Sequence, residues 1–299
     1  MTEINATLIK KLRDRTGAGV IDCKKALMDT QGDLEAAVDR LRAAELSKAA
    51  KKVDRVAAEG LVSLIVQDGN GALAELNTET DFVARTEAFQ AAAAAFASLA
   101  LGVRGDHGAL LNAATPDGDG RVSDAIARLT ARTGERINLR RSAYVSVSPG
   151  VVASYLHNAA APGLGRIGVL VALESRGSAD ALLDIGHKIA MHIAASSPLW
   201  VSKGDIPAEV VAEKRAALTE GAQKTGKPPD IVEKMVEGRM LKFYEDVVLG
   251  MQPFVLDPGQ RVERALKEAE QAAGAGIAVK TFVRFRTGEG IKPCPAFAD

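Results

Sequence analysis

The chain has few of the groups on which many functions depend. Its 299 residues hold two cysteines, Cys23 and Cys294, one tryptophan and three tyrosines. Two thiols so far apart in sequence make no disulfide framework and fit a reducing compartment. An excess of charge of one sign is also missing, since 38 Lys and Arg stand against 38 Asp and Glu. A chain without a basic excess is poorly equipped to neutralise phosphates, which argues against DNA or RNA as its main ligand. No run approaches the ~18 consecutive apolar residues of a membrane span. Residues 1–30 carry Lys10, Lys11, Arg13 and Arg15 with no uninterrupted apolar segment between them. The expectation is a soluble, cytoplasmic protein with no membrane partner.

Groupings that carry catalysis are scarce as well. His187 and His192 are five residues apart, the wrong interval for two ligands on one helix face, and no cysteine cluster accompanies them. The acidic residues are spread along amphipathic helices, and no Ser-His-Asp or Cys-His grouping follows from spacing. Two glycine patterns imitate nucleotide sites. Gly163-Leu164-Gly165-Arg166-Ile167-Gly168 has the letters of a dinucleotide fingerprint but runs into Val169-Leu170-Val171, a strand pattern where a helix must begin. Gly221-Ala222-Gln223-Lys224-Thr225-Gly226-Lys227 resembles a phosphate loop, but Pro228 follows where a hydroxyl must ligate magnesium. No enzyme site, cofactor or metal is therefore expected.

What the chain does have is periodicity. Asn5 is placed to cap a helix with Leu8, Ile9 and Leu12, Cys23, Ala26 and Leu27 mark a second, and Asp33 introduces a third with Leu34, Ala37, Val38 and Leu41. Helices this short need one another, so they predict a compact three-helix module followed by a basic, solvated linker over Lys48–Arg55. Leu61–Val66 and Ala72–Leu76 read as a hairpin across Gly69-Asn70-Gly71. After it come a helix with Phe89, Phe96 and Leu99, a stretch of loop signals from Gly102 to Gly120, a helix with Ala125, Ile126 and Leu129, and a strand over Ile137–Val145. A second set starts near Gly150, with strands at Val151–His157 and Ile167–Leu173 and a helix through Leu182, Ile185, Ile189 and Ile193 that Pro198 ends. The thin apolar stripe of Ala208–Gln223 predicts a helix projecting from the body, paired with the end of the Ala179–Ser197 helix. Ile231, Met235, Met240, Phe243 and Val247 mark another helix, and Arg261–Gln271 and Ile277–Phe285 a last helix and strand. The fold class is α+β with antiparallel sheets.

Thr80-Asp81-Phe82-Val83 stands between the second strand and an alanine-rich helix. Thr80 and Asp81, or Thr86, are placed to cap that helix, and on these residues alone Phe82 reads as an apolar staple folded into the core.

Arg13-Asp14-Arg15-Thr16-Gly17-Ala18-Gly19, Asp22-Cys23-Lys24-Lys25-Ala26-Leu27 and Asn77-Thr78-Glu79-Thr80-Asp81-Phe82-Val83-Ala84 closely resemble blocks of the bacterial elongation factor Ts family. Met191-His192-Ile193-Ala194-Ala195, Glu233 to Arg239, Gln252-Pro253-Phe254 and Gly288-Glu289-Gly290 extend that resemblance in the family's order. It implies an N-terminal three-helix, UBA-like module with its linker (1–55) and a two-part α+β core (56–148, then 149–180 with 229–258). It further implies a helical-hairpin dimerisation region (181–228) and a C-terminal module (259–299). By the same resemblance the chain is a non-catalytic guanine nucleotide exchange factor for elongation factor Tu in its GDP-bound and nucleotide-free states. It would bind no cofactor itself, and a homodimer would form through the hairpin. Thr80, Asp81, Phe82 and Val83 would disturb the partner's magnesium site, Phe82 now reading as an exposed wedge, while Arg13, Val20, Ile21, Lys24 and His157 would make further contacts. Val20-Ile21 stand where the family often has two methionines, and Asn158–Leu164 looks like an insertion beside His157.

Overall fold

The computed structural model describes residues 4–50, 52 and 54–291. Cys294 and the end of the expected 259–299 module lie outside them. Helices α1 (Ala6–Thr16), α2 (Val20–Asp29) and α3 (Leu34–Ala50) come first. Asn5 Oδ1 accepts from the Leu8 amide at 2.9 Å and Asp33 Oδ1 from the Ala36 amide at 3.0 Å, each satisfying a donor that the first helical turn leaves free. Leu12, Cys23, Leu27, Ala37, Val38 and Leu41 close on one another as the core of this module. Burial pushes the free Cys23 thiol upward in pKa, so it serves as a small core residue rather than a reactive group.

Strands β1 (Glu59–Gln67) and β2 (Asn70–Thr78) form the expected hairpin. There follow α4 (Asp81–Ala84), α5 (Glu87–Gly102), α6 (His107–Asn112), α7 (Val122–Thr133) and β3 (Asn138–Ser146). Helix α6 interrupts the stretch expected to be loop. Asp106 caps it at the Ala109 amide, 2.7 Å, and its six residues are too few to display a helical period. The second half holds β4 (Gly150–His157), β5 (Leu164–Gly165), β6 (Ile167–Glu174), α8 (Ala179–Ser196), α9 (Ala208–Gln223), α10 (Pro229–Val247), β7 (Pro253–Phe254), β8 (Asp257–Arg261), α11 (Val262–Ala273) and β9 (Ala278–Arg286).

Two antiparallel sheets, ordered β3-β2-β1-β5 and β4-β6-β9, lie face to face. The period of two along a strand sorts the side chains between layers. Ala72, Ala74 and Leu76 of β2 meet Phe89, Ala93 and Phe96 of α5. On the opposite face, Val62, Leu73 and Val145 meet Val152, Leu170 and Phe285 of the second sheet. The far face of that sheet, with Val169, Val171 and Leu173, is covered by Ile185, Ile189 and Ile193 of α8 and by Val262 and Ala265 of α11. The order is helix, sheet, sheet, helix.

The structure adds to several expectations and changes two, the solvated linker and the make-up of the hairpin. The basic linker is not simply solvated: Lys48–Ala50 continue α3, Lys52 donates to the Thr130 carbonyl at 3.3 Å, and Arg55 to the Gly134 carbonyl at 3.4 Å. The two cations thus gather at the carbonyl end of α7, where the helix dipole favours positive charge. The Asn158–Leu164 stretch, expected as an insertion beside His157, delivers β5 to the edge of the first sheet, Ser63 opposite Leu164 and Val62 opposite Gly165. Within the expected 259–299 module, α11 and β9 complete the core of the second sheet. Finally, the hairpin is α9 with α10. Val211, Leu218 and Ala222 pack on Val232, Val236 and Met240, while α8, expected as part of the protrusion, covers the sheet because its stripe is wide and apolar.

Between the sheets lies Glu75, fully buried. A bulge in β3, where Leu76 faces Leu139 and Glu75 faces Arg141, turns two consecutive arginines toward it. Arg140 Nη1 donates to its Oε1 at 3.1 Å and Arg141 Nε to its Oε2 at 2.6 Å. Asn77 Nδ2 and the Gly288 amide also donate to Oε1, at 3.1 and 2.8 Å. Gly288 has φ +72°, and a Cβ there would stand 2.2 Å from the Ala58 carbonyl oxygen, so only glycine fits.

Candidate partner-binding site

The first sheet ends in the segment that the sequence singles out. Strand β2 stops at Thr78, Thr80 is extended at φ −125°, and Asp81–Ala84 make a single helical turn. Thr86, not Thr80, caps the long helix, its hydroxyl oxygen accepting from the Phe89 amide. Two phenylalanines seven residues apart therefore part company. Phe89 is fully buried under the sheet, whereas Phe82 is 78% exposed. The reading of Phe82 as a core staple is overturned, and Val83 and Ala84 take the apolar contacts instead. Asp81 Oδ2 accepts from Arg85 Nη2 at 2.6 Å across one turn, with both side chains well exposed.

Polar anchors hold this turn from behind. The Glu135 carboxylate accepts three hydrogen bonds: from Thr78 Oγ1 to Oε2 at 2.7 Å, from the Thr80 amide to Oε2 at 3.0 Å, and from Thr80 Oγ1 to Oε1 at 2.6 Å. Glu79 answers in the other direction, its Oε1 accepting from the Arg136 amide at 2.5 Å and from Arg55 Nη1 at 3.3 Å. Sequence reasoning missed Glu135, whose partners lie 55 and 57 residues away. An open cleft of about 590 Å³ adjoins Phe82 and is lined by Glu59, Thr80, Asp81, Arg85, Ala160 and Arg166.

His157 ends β4 and is exposed, with its Nδ1 3.2 Å from the Tyr155 hydroxyl. Its carbonyl accepts from the Arg166 amide at 3.0 Å, so it borders the loop whose Ala160 and Arg166 line the cleft beside Phe82. Arg13, Val20, Ile21 and Lys24 belong to the three-helix module and all are exposed. Ile21, 83% exposed, is the extreme case. Met28 is exposed too and continues the line of Val20 and Lys24 at intervals of four on α2, a spacing already visible in the sequence. The nine expected residues thus fall into two groups, one around the Phe82 cleft and one on the module, whose α3 leans on α7 with Arg42 paired to Asp119 at 2.5 Å.

The two glycine patterns have the chain geometry expected of them. Gly163–Gly168 leads through β5 into β6, and Gly221–Lys227 closes α9 and is followed by two prolines that open α10. His192 is fully buried and uses both ring nitrogens. The Val255 amide donates to Nδ1 at 3.2 Å, which leaves Nε2–H to donate to Gln252 Oε1 at 2.9 Å. Burial holds its pKa below the ordinary value, in keeping with this neutral, doubly bonded ring. Two sequence blocks 60 residues apart, around His192 and around Gln252, are here one packed unit.

Among the described residues no group of three or more His, Cys, Asp and Glu is disposed to hold a metal ion, and no helix is long and apolar enough to cross a membrane. Comparison with known proteins bears on the whole chain. The family model described as "Elongation factor TS" matches residues 79–289. The protein named elongation factor Ts of Maricaulis maris is 51% identical over 298 residues, covering 99% of this chain and 95% of its own. Those of Parvibaculum lavamentivorans and Rhodospirillum rubrum are 49% and 50% identical over 292 and 293 residues, each covering 98% of this chain and 95% of its own. The family match begins at Glu79, at the head of the turn that exposes Phe82, and ends at Glu289, in the segment that closes over Glu75. With half the residues shared with these relatives over nearly its whole length, the chain belongs to the elongation factor Ts family.

Proposed function

We propose that this protein is a guanine nucleotide exchange factor, which promotes GDP release from elongation factor Tu during translation elongation in the cytoplasm. It works by binding and not by making or breaking a bond. The observation that carries the reading is Phe82, a large apolar side chain held in water on a turn whose backbone is anchored from behind. Exposing it is unfavourable for the isolated protein, and a partner's surface offsets that cost.

In this reading Thr80, Asp81, Phe82 and Val83 press on the partner's GTPase domain near its magnesium ion. Magnesium demands near-ideal octahedral oxygen geometry and is held through few protein ligands and the phosphates, so a small displacement of those ligands weakens nucleotide binding steeply. Val20, Ile21 and Met28, with Arg13 and Lys24 beside them, give the three-helix module an apolar contact with a basic edge, and His157 adds one at the cleft. Coupling is reciprocal: a factor that lowers nucleotide affinity must itself bind the nucleotide-free partner more tightly, and incoming GTP then displaces it. A coupling of about 3 kcal/mol is over a hundredfold in affinity. The chain itself needs no nucleotide, metal or other cofactor.

Self-association through the α9–α10 hairpin is part of the proposal. The two helices bury only a narrow seam against each other, and Ile231 and Leu241 remain exposed on α10. The test of the main reading is release of labelled GDP from purified elongation factor Tu, with and without this protein. Acceleration at substoichiometric amounts is the expected result, and an unchanged rate refutes it.

A further inference from the structure

Within the exchange reading above, we infer that Glu135 is a positioning residue that sets the direction in which Phe82 projects. The turn has little means of holding itself. Residues Asp81–Ala84 make one turn of helix, too short to be stable alone. Thr80 occupies the capping position, yet its hydroxyl caps nothing and donates instead to Glu135. The Asp81–Arg85 pair is well exposed, and such pairs contribute little.

The Glu135 carboxylate supplies what is missing. A carboxylate is acceptor-only, and here it gathers three donors from both sides of Glu79: the hydroxyls of Thr78 and Thr80 and the Thr80 amide. Glu135 is itself fixed in place. Gly134 ends α7 in the left-handed region at φ +76°, and the Arg136 amide is held by Glu79. The clamp is therefore reciprocal, one glutamate from each segment gripping the other's backbone. Arg55 extends it toward the three-helix module by donating to Glu79, while Arg136 Nη1 donates to the Arg55 carbonyl at 2.6 Å. The wedge and the start of the core are thereby tied to the end of α7, the helix on which α3 leans.

The test uses the full-length protein, with three readouts. Glu135→Ala should lower the maximal rate of GDP release at saturating factor by about 10-fold, as expected for losing charge-assisted hydrogen bonds that fix a geometry. The factor concentration giving half the effect should change less than about 3-fold, because the module's contacts remain. In the free protein, amide hydrogen exchange at Thr80, Arg85 and Thr86, whose amides the turn holds, should accelerate about 10-fold or more, beyond any change in the global unfolding free energy. Glu135→Gln should recover most of the rate, since its amide oxygen still accepts from the Thr80 amide and the Thr78 hydroxyl while the Thr80 hydroxyl can turn to accept from its amide nitrogen. Wild-type release and unaltered amide exchange in a folded Glu135→Ala protein would overturn the inference. If that variant does not fold, Thr78→Val removes one donor without touching the exposed surface, and an undiminished rate there overturns it equally. Failure of the wild type to stimulate release would refute the exchange reading itself, and the amide exchange would still decide whether Glu135 holds the turn.

Discussion

The turn at residues 78–86 and the junction of His192 with Gln252 and Val255 both use short sequence blocks and dense hydrogen bonding, to opposite ends. At the junction every polar atom of the imidazole is satisfied and the ring vanishes into the core beside Phe254. At the turn the hydrogen bonds to Glu135 hold the backbone from the inner side, and the outcome is an aromatic ring left in water. A matching block therefore does not reveal whether its residues present a surface or maintain the body behind it. The two kinds are separable by what fails when they are cut. Loss at a junction should appear as lost stability with exchange per folded molecule intact, and loss at a presenting surface as lost exchange with stability intact.

The largest effect belongs to the buried kind. Glu75→Ala removes the buried acceptor shared by Arg140, Arg141, Asn77 and the Gly288 amide and should destabilise the fold by about 3–5 kcal/mol. Denaturant unfolding measures this, and GDP release corrected for the folded fraction should match the wild type. A milder loss, or a selective loss of exchange, would make Glu75 part of the presenting surface and blur the distinction.

Next comes the module. Ile21→Asp places a charge on a largely exposed apolar side chain of the proposed contact, and should weaken binding by about 2 kcal/mol, roughly 30-fold. Titration calorimetry with elongation factor Tu checks this, and the unfolding midpoint should move little, because Ile21 has few neighbours to lose. Equal affinities would remove α2 from the interface.

The smallest effect is a pH dependence at the junction. The folded pKa of His192 lies below its unfolded value near 6.5, so the unfolded chain binds the extra proton first as the medium is acidified. Its stability contribution is complete above that unfolded value and is lost as pH falls toward the folded one, by at most about 1.4 kcal/mol per pH unit. Thermal unfolding between pH 7.5 and 5.5 should show the decline, and His192→Gln should flatten it. A slope unchanged in the variant would assign the acid sensitivity elsewhere.

Much of this body is legible in the sequence, because helical and strand periods report burial directly. Leu12, Cys23, Leu27 and Leu41 were identifiable as a core by spacing alone, as were Phe89 and Phe96. Spacing could not place Phe82. An apolar residue before a helix ordinarily folds inward, and what keeps this one out is a carboxylate supplied by the far end of α7. The same limit hid β5, a two-residue strand whose partner is a hundred residues earlier, and the assignment of α11 and β9 to the second sheet. It also hid the pairing of α9 with α10. The thin stripe of Ala208–Gln223 predicts a projecting helix, but its Val211 and Leu218 fill the seam of the hairpin with α10. Polar residues there should melt the hairpin, so a dimer contact is better sought at Ile231 and Leu241.

The central claim is that Phe82 acts on the partner and not on its own fold. The direct measurement is the maximal rate of labelled GDP release from elongation factor Tu with Phe82→Ala, taken beside its denaturant unfolding curve. An exposed ring lost from a protein–protein contact should cost the rate about 30-fold or more and move the stability by no more than about 0.5 kcal/mol. A variant that unfolds readily, yet releases GDP at the wild-type rate per folded molecule, would contradict the account.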